Sequence, residues 1–279
     1  MALFVSSLNS GSNGNCYYIG NDRDAVLIDG GISRRETEKR LKRLGLSLGH
    51  IRAIFITHEH GDHIHGIAGI SNKYNIPIYF TTPTLQQSNV FLKDGVARIF
   101  RPHEEITIGS LSIKGFPKQH DACDPQSFVV SCEGVTVGVF TDVGYPCENM
   151  KKHFVQCHAA FLESNYDEAM LENGRYPWTL KNRIRGGYGH LSNRQALKFF
   201  QEHRPHFMSH LFLAHLSREN NSPSLVEELF RNAAGKTKVV IAGRNQETEL
   251  YRILDLNRNY TTKPIHSRVT LKKAQLSLF

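Results

Sequence analysis

The stretch Thr57-His58-Glu59-His60-Gly61-Asp62-His63 constrains this chain more than any other. Three imidazoles and the Asp62 carboxylate lie within six residues. They directly follow Ile51–Thr57, an apolar, β-branched run of the buried-strand type. A strand end opening into a loop turns alternate side chains to one point, so His58 and His60 project to the same side. Asp62 and His63 then serve a second point nearby. Imidazole together with carboxylate suits zinc, manganese or iron rather than calcium. A His-rich surface loop is the plainer alternative. An ordered cluster placed directly after a hydrophobic strand favours the metal site.

The surrounding pattern is that of an α/β chain. Leu3–Leu8 alternates as a strand, and Asn9–Asn15 is rich enough in Asn, Ser and Gly to turn. Cys16–Gly20 and Ala25–Asp29 read as a hairpin. Ser33 caps a helix running to about Leu44. Ile67–Tyr74 reads as a helix and Pro77–Phe80 as a strand, so Ile51–Thr57 and Pro77–Phe80 form a parallel pair with a crossover. Ile106–Ile108, Leu111–Phe116, Ser127–Cys132 and Val135–Phe140 are strands. A helix near Glu148–His153, a strand at Ala159–Leu162 and one charged helix over Asp167–Arg185 follow. Ser192–His203 and Ser224–Ala234 are further helices, and Lys238–Ile241 is a last strand. Strands followed by helices in two successive halves predict an α/β, four-layer αβ/βα sandwich of two mixed sheets flanked by helices. The expected body is 1–255, with a basic, extended or disordered tail over 256–279.

Composition narrows the function. The 279 residues are 40% hydrophobic and 22% charged, as in a globular domain. Met1–Ser10 lacks the basic-then-apolar pattern of a signal peptide, and no run approaches the roughly 18 apolar residues of a membrane span. A cytoplasmic protein with no membrane role is expected. Cys16, Cys123, Cys132, Cys147 and Cys157 are odd in number and widely spaced, so they read as reduced thiols. The formal net charge of +8 suits an anionic partner, nucleic acid above all. Five of the basic residues lie beyond Leu256 with no acidic residue among them.

The cluster resembles the H-x-H-x-D-H signature of the metallo-β-lactamase superfamily, and the likeness runs roughly from Leu3 to Gly243. The resemblance implies two divalent ions, with zinc or manganese foremost and iron or nickel also compatible. It implies that His58, His60 and His120 hold one ion, that Asp62, His63 and His215 hold the other, and that Asp142 bridges them. Asp29, in Leu27-Ile28-Asp29-Gly30-Gly31, would orient a ligand histidine. Of the remaining histidines, His65, His103, His153, His158, His203, His206, His210 and His266 match no ligand position. Two such ions share a water, lower its pKa and set hydroxide to attack phosphorus without a covalent enzyme intermediate.

A bridging aspartate favours the phosphodiesterase and thioesterase branches. Glu163 and His190 resemble the Glu–His pair of the ribonuclease Z group. That likeness makes His190 the general acid that protonates the leaving oxygen, with Glu163 orienting it, so that Asp62, His190 and Glu163 form the expected catalytic set. The competing reading makes His190 a helix-cap residue. Ser10-Gly11-Ser12-Asn13-Gly14-Asn15, the histidine cluster, Glu163-Ser164-Asn165-Tyr166-Asp167, Gly189-His190-Leu191-Ser192-Asn193 and His215-Leu216-Ser217-Arg218-Glu219-Asn220-Asn221 together resemble the YycJ/WalJ-type subgroup. That subgroup is associated with 5′→3′ exonuclease action on double-stranded DNA, here in replication-linked repair.

About seventy residues separate Asp142 from His215, too few for the large cap domain of ribonuclease J-type enzymes. No long Gly/Pro-rich arm of the tRNA-processing kind is present. Lys181, Arg183, Arg185 and Arg194 flank His190, and Trp178 and Tyr188 could stack on a base. A solvated helix face with packing aromatics explains each of these more simply. The closing Gln275-Leu276-Ser277-Leu278-Phe279 resembles the peptide by which bacterial replication proteins dock on the sliding clamp, with Gln275, Leu276, Leu278 and Phe279 as the contacts. The expected function is a dinuclear metal-dependent nuclease acting on DNA. The alternatives are a small-molecule (cyclic nucleotide) phosphodiesterase and a non-catalytic metal-binding scaffold.

Overall fold

Short β-branched runs that alternate with amphipathic helices pair along the chain into two sheets. The computed structural model describes residues 2–255. The first sheet is built from β1 (Leu3–Asn9), β2 (Cys16–Gly20), β3 (Ala25–Ile28), β4 (Ile51–Phe55), β5 (Ile78–Phe80) and β6 (Ala97–Ile99). The second contains β7 (Glu105–Ile108), β8 (Leu111–Pro117), β9 (Gln126–Cys132), β10 (Val135–Phe140), β11 (Ala159–Glu163), β12 (His210–Ala214) and β13 (Lys238–Ile241). A final strand, β14 (Tyr251–Ile253), returns to the first sheet and pairs antiparallel with β1. The orders are β14-β1-β2-β3-β4-β5-β6 and β13-β12-β11-β10-β9-β8-β7. In each sheet one side is antiparallel and the other parallel: β3 to β6 in the first, β10 to β13 in the second.

The inner faces of the sheets bury one core, in which Tyr17 and Phe55 of the first sheet meet Phe161 and Phe128 of the second at ring-centroid distances of 4.9 and 5.7 Å. Outside the first sheet lie α1 (Arg34–Arg43) and α3 (Ile67–Tyr74), the second preceded by the single turn α2 (Gly61–Ile64). A short α4 (Thr82–Gln87) links β5 to β6. Outside the second sheet lie α5 (Glu148–Phe154), α8 (Asn193–His203) and α9 (Pro223–Arg231), whose apolar faces join a core around Phe140, Phe154 and Phe200. The architecture is the four-layer αβ/βα sandwich expected from the sequence. Helix boundaries follow their caps: Ser33 accepts the Glu36 N–H, and Ser192 with Gln195 forms a reciprocal capping box.

Several elements differ from the sequence reading. Asp167–Arg185 is not one helix but two, α6 (Glu168–Asn173) and α7 (Trp178–Arg185). Pro177 has no N–H to continue a helix, and a Cβ on Gly174 would come within 2.6 Å of Asn220 Oδ1. β12 has no counterpart in the sequence reading, because His210-Leu211-Phe212-Leu213-Ala214 is too short an apolar run to distinguish from helix flank. β6, β14 and α4 were likewise not anticipated. The basic segment 256–279, with its clamp-like ending, lies outside the described residues.

Candidate metal centre

The parallel strands of both sheets end at one edge of the sandwich, and the candidate ligands sit on those ends. Ile28 pairs with Phe55, which brings Asp29 beside the loop carrying His58 to His63. Phe140 pairs with Leu162, and Glu163 with Ala214, so Asp142, Glu163 and His215 emerge side by side. Asp29, Asp142 and His215 have φ of 62°, 53° and 55°. This left-handed backbone costs a non-glycine residue about 1–2 kcal/mol, and here it turns each side chain back over the strand ends. His120 is not on a strand. It lies three residues beyond β8, in the bend that leads to β9.

His58, His60 and His120 form an all-imidazole group whose ligand atoms lie within 4.8 Å of one another. The Thr57 hydroxyl donates 2.9 Å to Asp29 Oδ2, so it can accept from His58 Nδ1 at 2.8 Å and leave Nε2 with its lone pair. His58 Nε2 lies 3.1 Å from His60 Nδ1. His120 donates through Nδ1 to Gly189 O at 3.1 Å, which likewise frees Nε2. Burial pushes the His120 pKa down to about 4, against the opposing pull of Asp142. Burial, with His63 and Lys118 nearby, holds His58 well below the usual histidine value. Both rings are therefore neutral, the form a metal ligand needs.

The second group is rich in carboxylate. His63 Nε2 is 3.3 Å from Asp142 Oδ2 and 3.6 Å from Asp62 Oδ2, and His215 Nε2 is 3.8 Å from Asp62 Oδ2. His63 donates through Nδ1 to Asp29 Oδ2 at 2.7 Å. Burial opposes charge on His63, but Asp29, Asp142 and Asp62 outweigh it and hold its pKa well above the ordinary value. Burial also opposes charge on His215, and Asp142, Asp62 and Glu163 still lift it to about 10. Asp142, 2% exposed, stands between the groups and joins His58 and His63 in one candidate cluster and His215 in another.

Glu163 is fully buried and makes four contacts. Its Oε1 accepts from His190 Nδ1 at 2.7 Å and from His215 Nδ1 at 2.9 Å. Its Oε2 accepts the backbone N–H groups of Val143 and Leu191. Burial raises the pKa of this carboxyl, but the two imidazoles prevail and hold it at about 2. His190 does not cap α8. Ser192 does, and the His190 ring, with 16% of its side chain exposed, lies at the rim of the cluster.

These residues suit divalent cations. Among the described residues, His120 Nε2, Asp142 Oδ2 and His215 Nε2 are buried polar atoms with no hydrogen-bond partner, a costly arrangement that a bound cation relieves. Asp29, Asp62, Asp142 and Glu163 surround a single buried ammonium, that of Lys118. Their negative charge is what raises the pKa of His63 and His215, and a divalent cation would answer the same charge.

Three supporting residues escaped the sequence reading. Lys118 is 5% exposed and donates 2.7 Å to Thr141 O, beside the strained Asp142. Asn15 Nδ2 lies 3.2 Å from Asp62 Oδ2 and 3.1 Å from His63 Nε2. Ser10 Oγ accepts the His215 N–H at 2.7 Å. Ser10 and Asn15 bound the Ser-Gly-Asn segment that had been noted as a motif without a role, and its polarity was the available signal. The loop is closely docked: Asn15 N donates to Asp62 O, and a Cβ on Gly31 would meet that same oxygen at 1.7 Å.

The flanking basic residues are largely paired. Arg183 binds Asp121 at 2.5 Å and Arg194 faces Glu168 at 3.5 Å. Arg185 binds Glu172 at 2.9 Å and stacks over Trp178, while Lys181 donates to Glu172 O. Tyr188 is 63% exposed. No helix among the described residues is long and apolar enough to cross a membrane.

Residues 10–190 match the profile of the Metallo-beta-lactamase superfamily. The chain is 34% identical over 228 residues to the exodeoxyribonuclease YycJ of Bacillus anthracis, covering 81% of this chain and 86% of that protein. It is 32% identical over 225 residues to the exodeoxyribonuclease WalJ of Streptococcus pneumoniae, covering 79% and 84%. The crystal structure of the metallo-beta-lactamase fold protein YhfI from Bacillus subtilis superposes with a TM-score of 0.70 at 15% identity, over 90% of this chain and 100% of that one, a likeness of fold. The chain belongs to the metallo-β-lactamase superfamily and its YycJ/WalJ-type subgroup, and is a metal-dependent hydrolase.

Proposed function

We propose that the protein is a dinuclear metal-dependent phosphodiesterase that degrades double-stranded DNA as a 5′→3′ exonuclease. The observation that carries this reading is the sharing of Glu163 Oε1 between His190 and His215. A carboxylate held ionised beside His190 Nδ1 fixes the ring's tautomer and supports its positive charge, as a proton donor at a leaving oxygen requires. The same oxygen orients His215 as a ligand. In this reading His58, His60 and His120 would hold one ion, Asp62, His63 and His215 the other, and Asp142 would serve both, with Asp29 steadying His63. Bound ions would supply an activated water and a Lewis acid for the phosphoryl oxygen. His190 gives its proton to the departing oxygen, and Asn15 steadies Asp62. The exodeoxyribonuclease names of the two relatives support DNA as the substrate. Replication-linked repair in the cytoplasm and docking on a sliding clamp through Gln275, Leu276, Leu278 and Phe279 complete the proposal.

The test is degradation of 5′- and 3′-labelled duplex DNA by protein loaded with zinc or manganese, beside Asp62→Ala and His190→Ala. Label loss from the 5′ end that vanishes with chelator and in Asp62→Ala is expected. No degradation by the wild type defeats the nuclease reading. Turnover of cyclic nucleotides without duplex degradation replaces it with the small-molecule phosphodiesterase. Removing 275–279 should abolish capture on immobilised clamp; unchanged capture removes the clamp from the proposal.

A further inference from the structure

Arg244 is a half-buried guanidinium that forms no ion pair among the described residues, unlike the arginines of α7 and α8. Its Nη2 donates 2.9 Å to the carbonyl of Leu216, the residue after His215. Its own carbonyl accepts from Asn13 Nδ2 at 2.9 Å. The guanidinium lies against Gly11, whose φ is 136° and where a Cβ would come within 2.9 Å of Nη2. Only glycine allows both that backbone and that approach. Arg244 is thus anchored between the Ser10–Asn15 loop and the loop that follows β12.

A cavity of about 250 Å³ opens there, lined by Ser10, Ser217, Arg218, Asn221, Arg244 and Asn245 among others. Ser10 also holds the His215 backbone, so the cavity shares a wall with the candidate metal centre. The Arg218 side chain is 78% exposed, with Glu219 at 3.6 Å as its carboxylate neighbour. Burial, and then the charge of Arg218, lowers the pKa of Arg244. Two guanidinium groups thus line one cavity, with the Glu219 carboxylate near both but paired with Arg218, and an anion placed between them would relieve their repulsion. Phosphate suits the guanidinium fork, from which it accepts two parallel N–H bonds, and it is the anion that a nucleic-acid strand supplies.

We propose that Arg244 and Arg218 form a phosphate-binding subsite that holds a phosphate of the nucleic-acid strand beside the metal centre. The inference rests on the nuclease reading and deepens it. The group bound is either an internal phosphodiester or a terminal phosphate, and the experiment separates the two. Full-length Arg218→Ala and Arg244→Lys are compared with wild type in two assays. The first is binding of a phosphorothioate duplex by fluorescence anisotropy across a salt series. The second is cleavage of natural duplexes with 5′-phosphate or 5′-hydroxyl ends, set against turnover of bis(4-nitrophenyl) phosphate.

Each variant should weaken duplex binding about tenfold, the loss of one charge-assisted contact. Arg218→Ala should also flatten the logarithmic salt slope by about 1. The ratio of kcat/KM for duplex to that for the small diester should fall in step. A loss confined to 5′-phosphorylated duplex assigns the terminal phosphate; an equal loss on both ends assigns an internal phosphodiester. Unchanged duplex binding and salt slope in both variants overturn the subsite. So does a parallel loss for duplex and small diester, which means that the arginines only support the His215 loop. A wild type that binds duplex without cutting it defeats the nuclease reading, while the subsite still stands or falls on the anisotropy.

Discussion

The two halves of the sandwich present their ligands in opposite ways. The first half places His58, His60, Asp62 and His63 on one short loop after β4, with Asp29 and Asn15 arriving from neighbouring segments as supports. The second half spreads His120, Asp142, Glu163, His190 and His215 over separate strand ends and loops. Packing compensates for the spread. The first half adds to contacts local in sequence, such as Thr57 on His58, the support of Asp29 and Asn15 from neighbouring segments. The second depends on single residues that join distant segments: Glu163 ties His190 to His215, and Lys118 ties the β8 end to Thr141. A compact motif brings its ligands together by chain connectivity, whereas a dispersed one needs buried charge to fix it.

Variants can break or sharpen this contrast. Asp142 faces ligands from both halves, so Asp142→Ala should have the largest effect. Activity should fall by more than the roughly 100-fold that follows loss of a supporting partner, and bound metal should drop from two ions to one or none. Elemental analysis that still finds two ions would show that the halves bind independently. His190→Ala should lower kcat by about 10²–10⁴-fold with both ions retained, as expected for a proton donor. Loss of metal in that variant would recast His190 as a ligand.

Glu163→Gln should come next. A neutral amide supports both imidazoles less well, so about 10- to 100-fold of activity and of affinity for one ion should be lost together. Loss of activity alone would confine Glu163 to His190. The smallest effect should follow Asp29→Asn in the locally built half, about tenfold in metal affinity, because Thr57 and the loop backbone still hold His58 and His63. Competition with a chelating dye measures it. An Asp29 effect larger than that of Glu163 would reverse the contrast between the halves.

The same contrast explains which parts were legible from the sequence. The helices at Ser33 and Ser192 were readable because their caps are side chains adjacent in sequence. The first-half cluster was readable because its spacing follows the strand repeat. His120, Asp142 and His215 entered through family resemblance, since nothing local marks them; His215 follows a five-residue strand that was not recognised at all. Lys118 went unnoticed, and Asn15 stood in a motif without a role of its own, because a lysine or asparagine in a polar stretch reads as solvent-exposed until the fold buries it. The break between α6 and α7 was missed because the charged pattern over Asp167–Arg185 is helical in period on both sides of Pro177.

By itself the sequence determined what period and connectivity can encode: two rounds of strands and helices, and a loop whose imidazoles and carboxylate converge because they are covalent neighbours. Tertiary structure decided what depends on distant residues meeting in a low-dielectric edge. It set Asp142 between the two groups, shared Glu163 between two imidazoles, buried Lys118 among carboxylates, and placed Arg244, which forms no ion pair among the described residues, on the Leu216 carbonyl next to His215. Charges far apart along the chain interact strongly only once folding removes the water between them.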